Sequence, residues 1–148
     1  SFPTRRSSDL HRIPVTADTL IGKVHPTKED MLVLPGGMPG TLHLGDCEGL
    51  KGFLMKAAEE NGRIAAICAA PTVLGKLGLL NGRKAICYPG MEDGLTGAEV
   101  TVEPVVTDGN ITTSRGLGTA IPFALRLIEE LSGKETADRI AESVVYQA

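Results

Sequence analysis

Of the three cysteines in this chain, Cys68 has the surroundings that favour covalent chemistry. The stretch Arg63–Leu74 reads RIAAICAAPTVL. Its Ile64-Ala-Ala-Ile67 core is an uninterrupted apolar run of the kind that suits a parallel strand covered on both faces. Pro71 has no N–H to donate and a fixed φ, which suits the first turn of a helix. Cys68 therefore falls where a strand stops and a helix begins. Unpaired N–H groups and the positive end of a helix dipole favour a thiolate at such a point, and the thiolate is the nucleophilic form. A small cysteine can equally fill a gap in a core, and the local pattern leaves both readings open. Cys47 lies near the start of a predicted helix but no strand aims it at a site, so it reads as structural or incidental. Cys87 falls within a predicted strand. No two cysteines stand in a CxxC pair, and the three do not form a disulfide framework, which points to a reducing, cytoplasmic compartment. His11, His25 and His43 are too widely spaced for a ligand set, so no metal site is expected.

The 148 residues suffice for one domain with a real core. A formal charge of −3 and a pI near 5.6 give no reason to expect a nucleic-acid partner. No apolar run approaches the roughly 20 residues that span a membrane. Residues 1–10 (SFPTRRSSDL) have no secretory-signal core and no helix or strand period. They match the translation of a common sequencing adapter and are read as a non-native scar. The single domain is accordingly residues 11–148.

Strands and helices alternate along the rest of the chain. Ile13–Thr16 reads as a short edge strand, limited by Pro14, and residues 17–29 as little more than one helical turn. Asp30–Leu34 is a buried strand, stopped by the glycine-rich Pro35–Gly40. This run is neither GxGxxG nor a P-loop, so a phosphate cradle is a weak reading. Asp46 is the expected N-cap of a helix whose Leu50, Phe53, Leu54, Ala57 and Ala58 form one apolar face, ended by Asn61-Gly62. After Cys68 a helix is expected to about Leu80, then a turn at Asn81-Gly82 and a strand over Lys84–Tyr88. Ala98–Glu103 alternates as a half-buried strand that Val105–Asp108 extends. Asp108-Gly109 signals a hairpin into Asn110–Thr113. A helix bearing Ala120, Ala124, Leu127, Ile128 and Leu131 on one face follows and ends at Gly133. A last helix places Ala137, Ile140, Ala141 and Val144 together. The pattern predicts an α/β sandwich around a mainly parallel sheet. Ligands in such folds bind beyond the carboxyl ends of the strands. There the loops Pro35–Gly40, Cys68–Pro71 and Ser114–Gly118 would gather, which favours the functional reading of Cys68.

The same three loops carry a family likeness. LPGGMPG (Leu34–Gly40), AAICAAPTVL (Ala65–Leu74) and TSRGLGTA (Thr113–Ala120) resemble, in order and spacing, the ThiJ/PfpI superfamily. The nearest branch is that of the parkinsonism-associated protein deglycase. The likeness runs from about Ile13 to the C-terminus and implies a flavodoxin-like three-layer sandwich. It makes Cys68 the nucleophile and redox-sensitive cysteine. The N–H groups of Gly37 and Ala69 become an oxyanion hole, Gly36 shapes that turn, and Arg115 lies near the pocket and the family's dimer contact. Tyr88 occupies the position of a histidine found in some deglycase members, and either positions substrate or simply packs its ring. The protease-like branch has histidine directly after the nucleophile; Ala69 stands there instead, which disfavours a peptidase.

The implied activity is that of a glyoxalase III or protein deglycase, needing no organic cofactor. Its substrate is a small dicarbonyl such as methylglyoxal, or a glycated protein. A non-enzymatic oxidative-stress sensor or chaperone using the same cysteine is the alternative, and the sequence does not separate the two. The full-length protein is expected to be a homodimer. Family members carry a glutamate after the first strand that bonds the cysteine and moves protons. That region would precede Ile13, so the first strand–helix unit is expected to be missing and the chain to be poorly active. No glutamate of this sequence takes over the role.

Overall fold

The computed structural model describes residues 6–8 and 14–147. The readings of Ile13, His11 and most of the first ten residues lie outside it. Within that segment Arg6–Ser8 (β1) pairs antiparallel with Pro14–Thr16 (β2), so the expectation of no strand there does not hold. The pairing needs only backbone groups, which a side-chain period does not report. The weak stretch that follows contains one 3-10 turn, Ile21–Lys23.

The main sheet is built from Met31–Leu34 (β3), Arg63–Ile67 (β4), Val105–Asp108 (β7) and Ile111–Ser114 (β8). The strand order is β3-β4-β8-β7. The first three strands are parallel and β7 returns antiparallel, which confirms the α/β class with a mainly parallel sheet. As the apolar run requires, the middle residues Ile64, Ala65 and Ala66 of β4 are buried. Two small alanines let helices approach the sheet closely on either face. The hairpin closes as expected: Asp108 pairs with Ile111, and Gly109 takes φ +62° in the turn.

Helices Gly40–Asp46 (α1) and Glu48–Glu59 (α2) lie between β3 and β4. The first was not expected. Asp46 ends it rather than capping the next helix, and Cys47 is the junction residue, without a side-chain cap. In α2, Leu54 is fully buried, with Leu50, Ala57 and Ala58 packed around the core. The chain leaves α2 through Asn61 at φ +55°, as Asn-Gly suggests.

Helix α3, Pro71–Lys76, is buried over Pro71–Gly75 and stops a turn earlier than Leu80. Gly78, at φ +73°, sends its N–H back to Gly75, and Leu79 bonds to Leu74, which closes the helix in a compact turn. The strand expected over Lys84–Tyr88 is in ladder only at Lys84–Ala85 (β5), paired in parallel with Glu99–Val100 (β6). The rest of that segment is held by single bonds: Ile86 N–H donates to Thr113 Oγ1 (3.0 Å) and Tyr88 N–H to the Cys68 carbonyl (2.8 Å). Pro104, which lacks an N–H, separates β6 from β7.

Helices Ala120–Ser132 (α4) and Lys134–Ser143 (α5) complete the described chain. The buried residue of α4 is Phe123, whereas Ala124 and Leu131 are exposed. The larger ring wins the core side of the helix. Glu130 ties α4 to the sheet, accepting the hydroxyls of Thr112 (2.7 Å) and Thr107 (3.0 Å). Ala137 is the buried residue of α5, while Val144 lies past its end and is exposed.

Candidate active site

The sheet register places the functional loops together. Leu34 pairs with Ala66, and Ile67 with Ser114, so β3, β4 and β8 end side by side. Pro35–Gly40, Cys68–Pro71 and Ser114–Gly118 therefore leave from one edge. Cys68 follows β4 directly and takes φ +65°. A non-glycine residue in that region stores on the order of 1–3 kcal/mol and is held there by its surroundings. The constraints are visible: Cys68 N–H donates to the Ser114 carbonyl (3.0 Å), and its own carbonyl accepts the N–H of Tyr88 (2.8 Å). Both backbone groups are thus pinned by neighbouring segments, while the residue stays partly open to solvent.

Two glycines form the walls around the thiol. A methyl group added at Gly36 would overlap Cys68 Cβ and stand 3.1 Å from its Sγ. One added at Gly116 would lie 3.9 Å from Sγ and 3.4 Å from the Tyr88 ring. The sequence pattern puts Gly116 in a loop and assigns it no role. Its only signal was membership of the Ser114–Gly118 glycine run. That loop is stiffened by hydroxyls. Ser114 Oγ donates to the Pro104 carbonyl (2.8 Å) and lies 2.7 Å from Thr119 Oγ1, which accepts the Gly116 N–H (3.1 Å).

The other expected site residues sit as follows. Gly37 is at φ +95°, and its carbonyl accepts both the N–H and the hydroxyl of Thr41 (2.9 Å each). Ala69 is buried, its carbonyl taken by the Thr72 N–H and hydroxyl. Among the described residues, neither the Gly37 nor the Ala69 N–H donates to a protein acceptor. Tyr88 stacks its ring beside Gly116 yet is 51% exposed, so it borders the site without being buried in it. Arg115 is half-buried between Ser114 and Gly116.

The other two cysteines differ in setting. Cys87 is fully buried, and burial, with a contribution from Glu92, pushes its thiol up from 9.0 to about 11. At neutral pH about one molecule in ten thousand would carry that thiolate. Limited alkylation at pH 7, read by peptide mass spectrometry, is expected to label Cys68 first and leave Cys87 untouched; preferential labelling of Cys47 or Cys87 would contradict this. Cys87 keeps its proton to higher pH in the fold than in the unfolded chain, so its contribution is intact below pH 9 and is lost as pH rises towards 11.

A cysteine at a positive-φ strand-to-helix turn, between two close glycines at the carboxyl edge of a mainly parallel sheet, has the backbone geometry of an elbow in an α/β protein. Comparison with known proteins narrows the class. Residues 4–130 match the DJ-1/PfpI family, and the chain belongs to that family. It is 43% identical to protein dj-1beta of Drosophila melanogaster over 142 residues, covering 94% of this chain and 74% of the fly protein. The crystal structure of that fly protein superposes with a TM-score of 0.84 at 37% identity, over 93% of this chain and 75% of the other, which gives the flavodoxin-like fold. Protein DJ-1 homolog A of Arabidopsis thaliana is 44% identical over 93% of this chain, but the chain spans only 36% of that longer protein. Two similar proteins have names that state an activity. They are glutathione-independent glyoxalase DJR-1.2 of Caenorhabditis elegans, 32% identical over 85% of this chain and 68% of its own, and deglycase PH1704 of Pyrococcus horikoshii, 36% identical over 78% and 70%. Among the described residues no helix is long and apolar enough to cross a membrane.

Proposed function

We propose that this protein acts on reactive dicarbonyls, with methylglyoxal or its protein adducts as substrate and Cys68 as nucleophile. The observation that carries the reading is the elbow itself. Cys68 is held at φ +65° by two backbone bonds, with its Sγ bordered by Gly36 and Gly116, in a family whose members include a named glyoxalase and a named deglycase.

The Cys68 thiolate adds to the aldehyde carbon of methylglyoxal, and the C–S bond forms as the carbonyl electrons move to oxygen. The N–H groups of Gly37 and Ala69 receive that oxyanion; a donor of this kind is worth about 3 kcal/mol. A base then moves the C1 proton to C2, which oxidises C1 and reduces C2, so no external redox agent is needed. Water cleaves the resulting thioester, releasing lactate and the thiol. With a hemiaminal on a protein amine, the thiol sulfur takes the place of nitrogen on C1: the C–S bond forms, the C–N bond breaks and the thiol proton leaves with the repaired amine, after which the same proton shift and hydrolysis give lactate. Tyr88 and Arg115 border the opening and contact the part of the substrate that stays outside it.

Lactate formed from methylglyoxal by the full chain, followed by proton NMR, tests the reading. Slow turnover above background is expected for the chain as it stands, since no side chain described above is placed to act as that base beside Cys68, and background alone for Cys68→Ser. Equal rates for the two would overturn the assignment of Cys68. Absence of turnover, combined with peroxide-driven gain of two oxygens at Cys68, would favour the redox-sensor alternative.

A further inference from the structure

A groove lies among the segments that lead away from the elbow. It measures about 370 Å³ and is lined by Met38, Leu42 and Met91, with Asp46, Lys76 and Asp93 among its remaining walls. Its three sides are continuations of the segments that hold Cys68. Met38 lies two residues beyond Gly36 on the first glycine loop, and Lys76 ends the helix that starts after Cys68. Met91 lies three residues beyond Tyr88, whose N–H bonds the Cys68 carbonyl. Met38 and Leu42 are 42% and 47% exposed, so with Met91 they offer adaptable apolar side chains to a ligand from solvent. Asp46, Lys76 and Asp93 are all exposed, and none of them forms an ion pair with another described residue. Two carboxylates against one ammonium leave the groove with an excess negative charge.

We propose that this groove binds the peptide flanking a carbonyl adduct and selects segments that combine an apolar residue with lysine or arginine. The inference rests on the dicarbonyl reading above for its biological meaning, but the binding it asserts is independent of turnover. The apolar residue would lie on Met38, Leu42 and Met91, and the cations beside Asp46 and Asp93. A free dicarbonyl, with no flanking chain, would leave the groove unused. The groove would therefore set specificity among protein substrates and not the rate on methylglyoxal.

The test uses the full chain and two fluorescein-labelled, acetylated and amidated eight-residue peptides. One contains a leucine and two lysines, and the other has glutamates in place of the lysines. Fluorescence anisotropy at low salt is expected to show at least about five-fold tighter binding of the lysine peptide, the range of two exposed charge pairs. Asp46→Asn with Asp93→Asn should remove that preference, and Leu42→Lys should weaken both peptides. Cys68→Ala should bind as the parent does. Methylglyoxal turnover should be the same in the double variant and the parent. No measurable binding, equal binding of the two peptides, or a preference that survives the double variant would each overturn the proposal. If the parent binds the lysine peptide selectively but forms no lactate, the dicarbonyl reading fails and the groove stands.

Discussion

Gly36→Ala is expected to slow alkylation of Cys68 and any Cys68-dependent turnover by about 100-fold, the scale associated with displacing a reacting group by roughly 1 Å. Gly36 does not need glycine for its backbone angles, since its φ is not in the left-handed region. The constraint is space. An added methyl would overlap Cys68 Cβ and stand 2.7 Å from the Ile67 carbonyl oxygen. Cys68 cannot retreat, because its N–H is tied to Ser114 and its carbonyl to Tyr88. Either the first glycine loop moves away, taking Gly37 with it, or the elbow loses its positive φ. Both outcomes shift the thiol relative to the first glycine loop. Overpacking of this kind also costs about 1–3 kcal/mol of stability. The measurements are the iodoacetamide rate at Cys68 and the urea midpoint. The rate decides the matter: a variant that folds and alkylates at the parental rate would show that Gly36 does not crowd the thiol.

How much of this was legible in the sequence depends on the range of the interaction. Strand β4 and the elbow were legible because the apolar run, Cys68 and Pro71 are contiguous, and each restricts the backbone locally. The hairpin at Asp108-Gly109 and the end of α2 at Asn61-Gly62 were legible for the same reason. Helix α1 was not: Thr41–Gly45 is too short to show a period, and it is flanked by glycines that read as loop. The buried face of α4 was misjudged because Phe123 and Ala124 are both apolar neighbours, and only the packing partner decides which faces inward. The left-handed backbone of Cys68 was invisible, since it is imposed by bonds from Ser114 and Tyr88, 46 and 20 residues away. The groove was hidden for a similar reason. Leu42, Lys76 and Asp93 belong to three separate segments, and no spacing rule connects them.

The largest stability effect is expected at Gly75, where replacing glycine by alanine should reverse its usual sign. In a helix interior that change normally stabilises by up to about 1 kcal/mol, because alanine restricts the unfolded chain and favours the helix. Gly52 in α2 fits that rule: it is exposed and a methyl there meets nothing within 4 Å, so Gly52→Ala should stabilise by about 0.5–1 kcal/mol. Gly75 in α3 does not. Its added methyl would collide with the Gly94 carbonyl oxygen and lie 2.9 Å from Thr96 N and 3.0 Å from Leu95 Cα. All three are backbone atoms of one turn, so no rotamer change relieves the contact. Gly94 in turn is packed on Thr72, 2.6 Å from its methyl if a side chain were added, so the turn cannot simply slide along the helix. Parting α3 from that turn would open the core around Leu74 and Leu95, which are 0% and 3% exposed. A net loss of about 2–3 kcal/mol follows, at the upper end for overpacking. In a chain of this size that lowers the thermal midpoint by about 5–10 °C. Calorimetry on both variants beside the parent protein checks the pair. Midpoints that move in the same direction for Gly52→Ala and Gly75→Ala would show that the contact between α3 and the Gly94 turn is not as close as described.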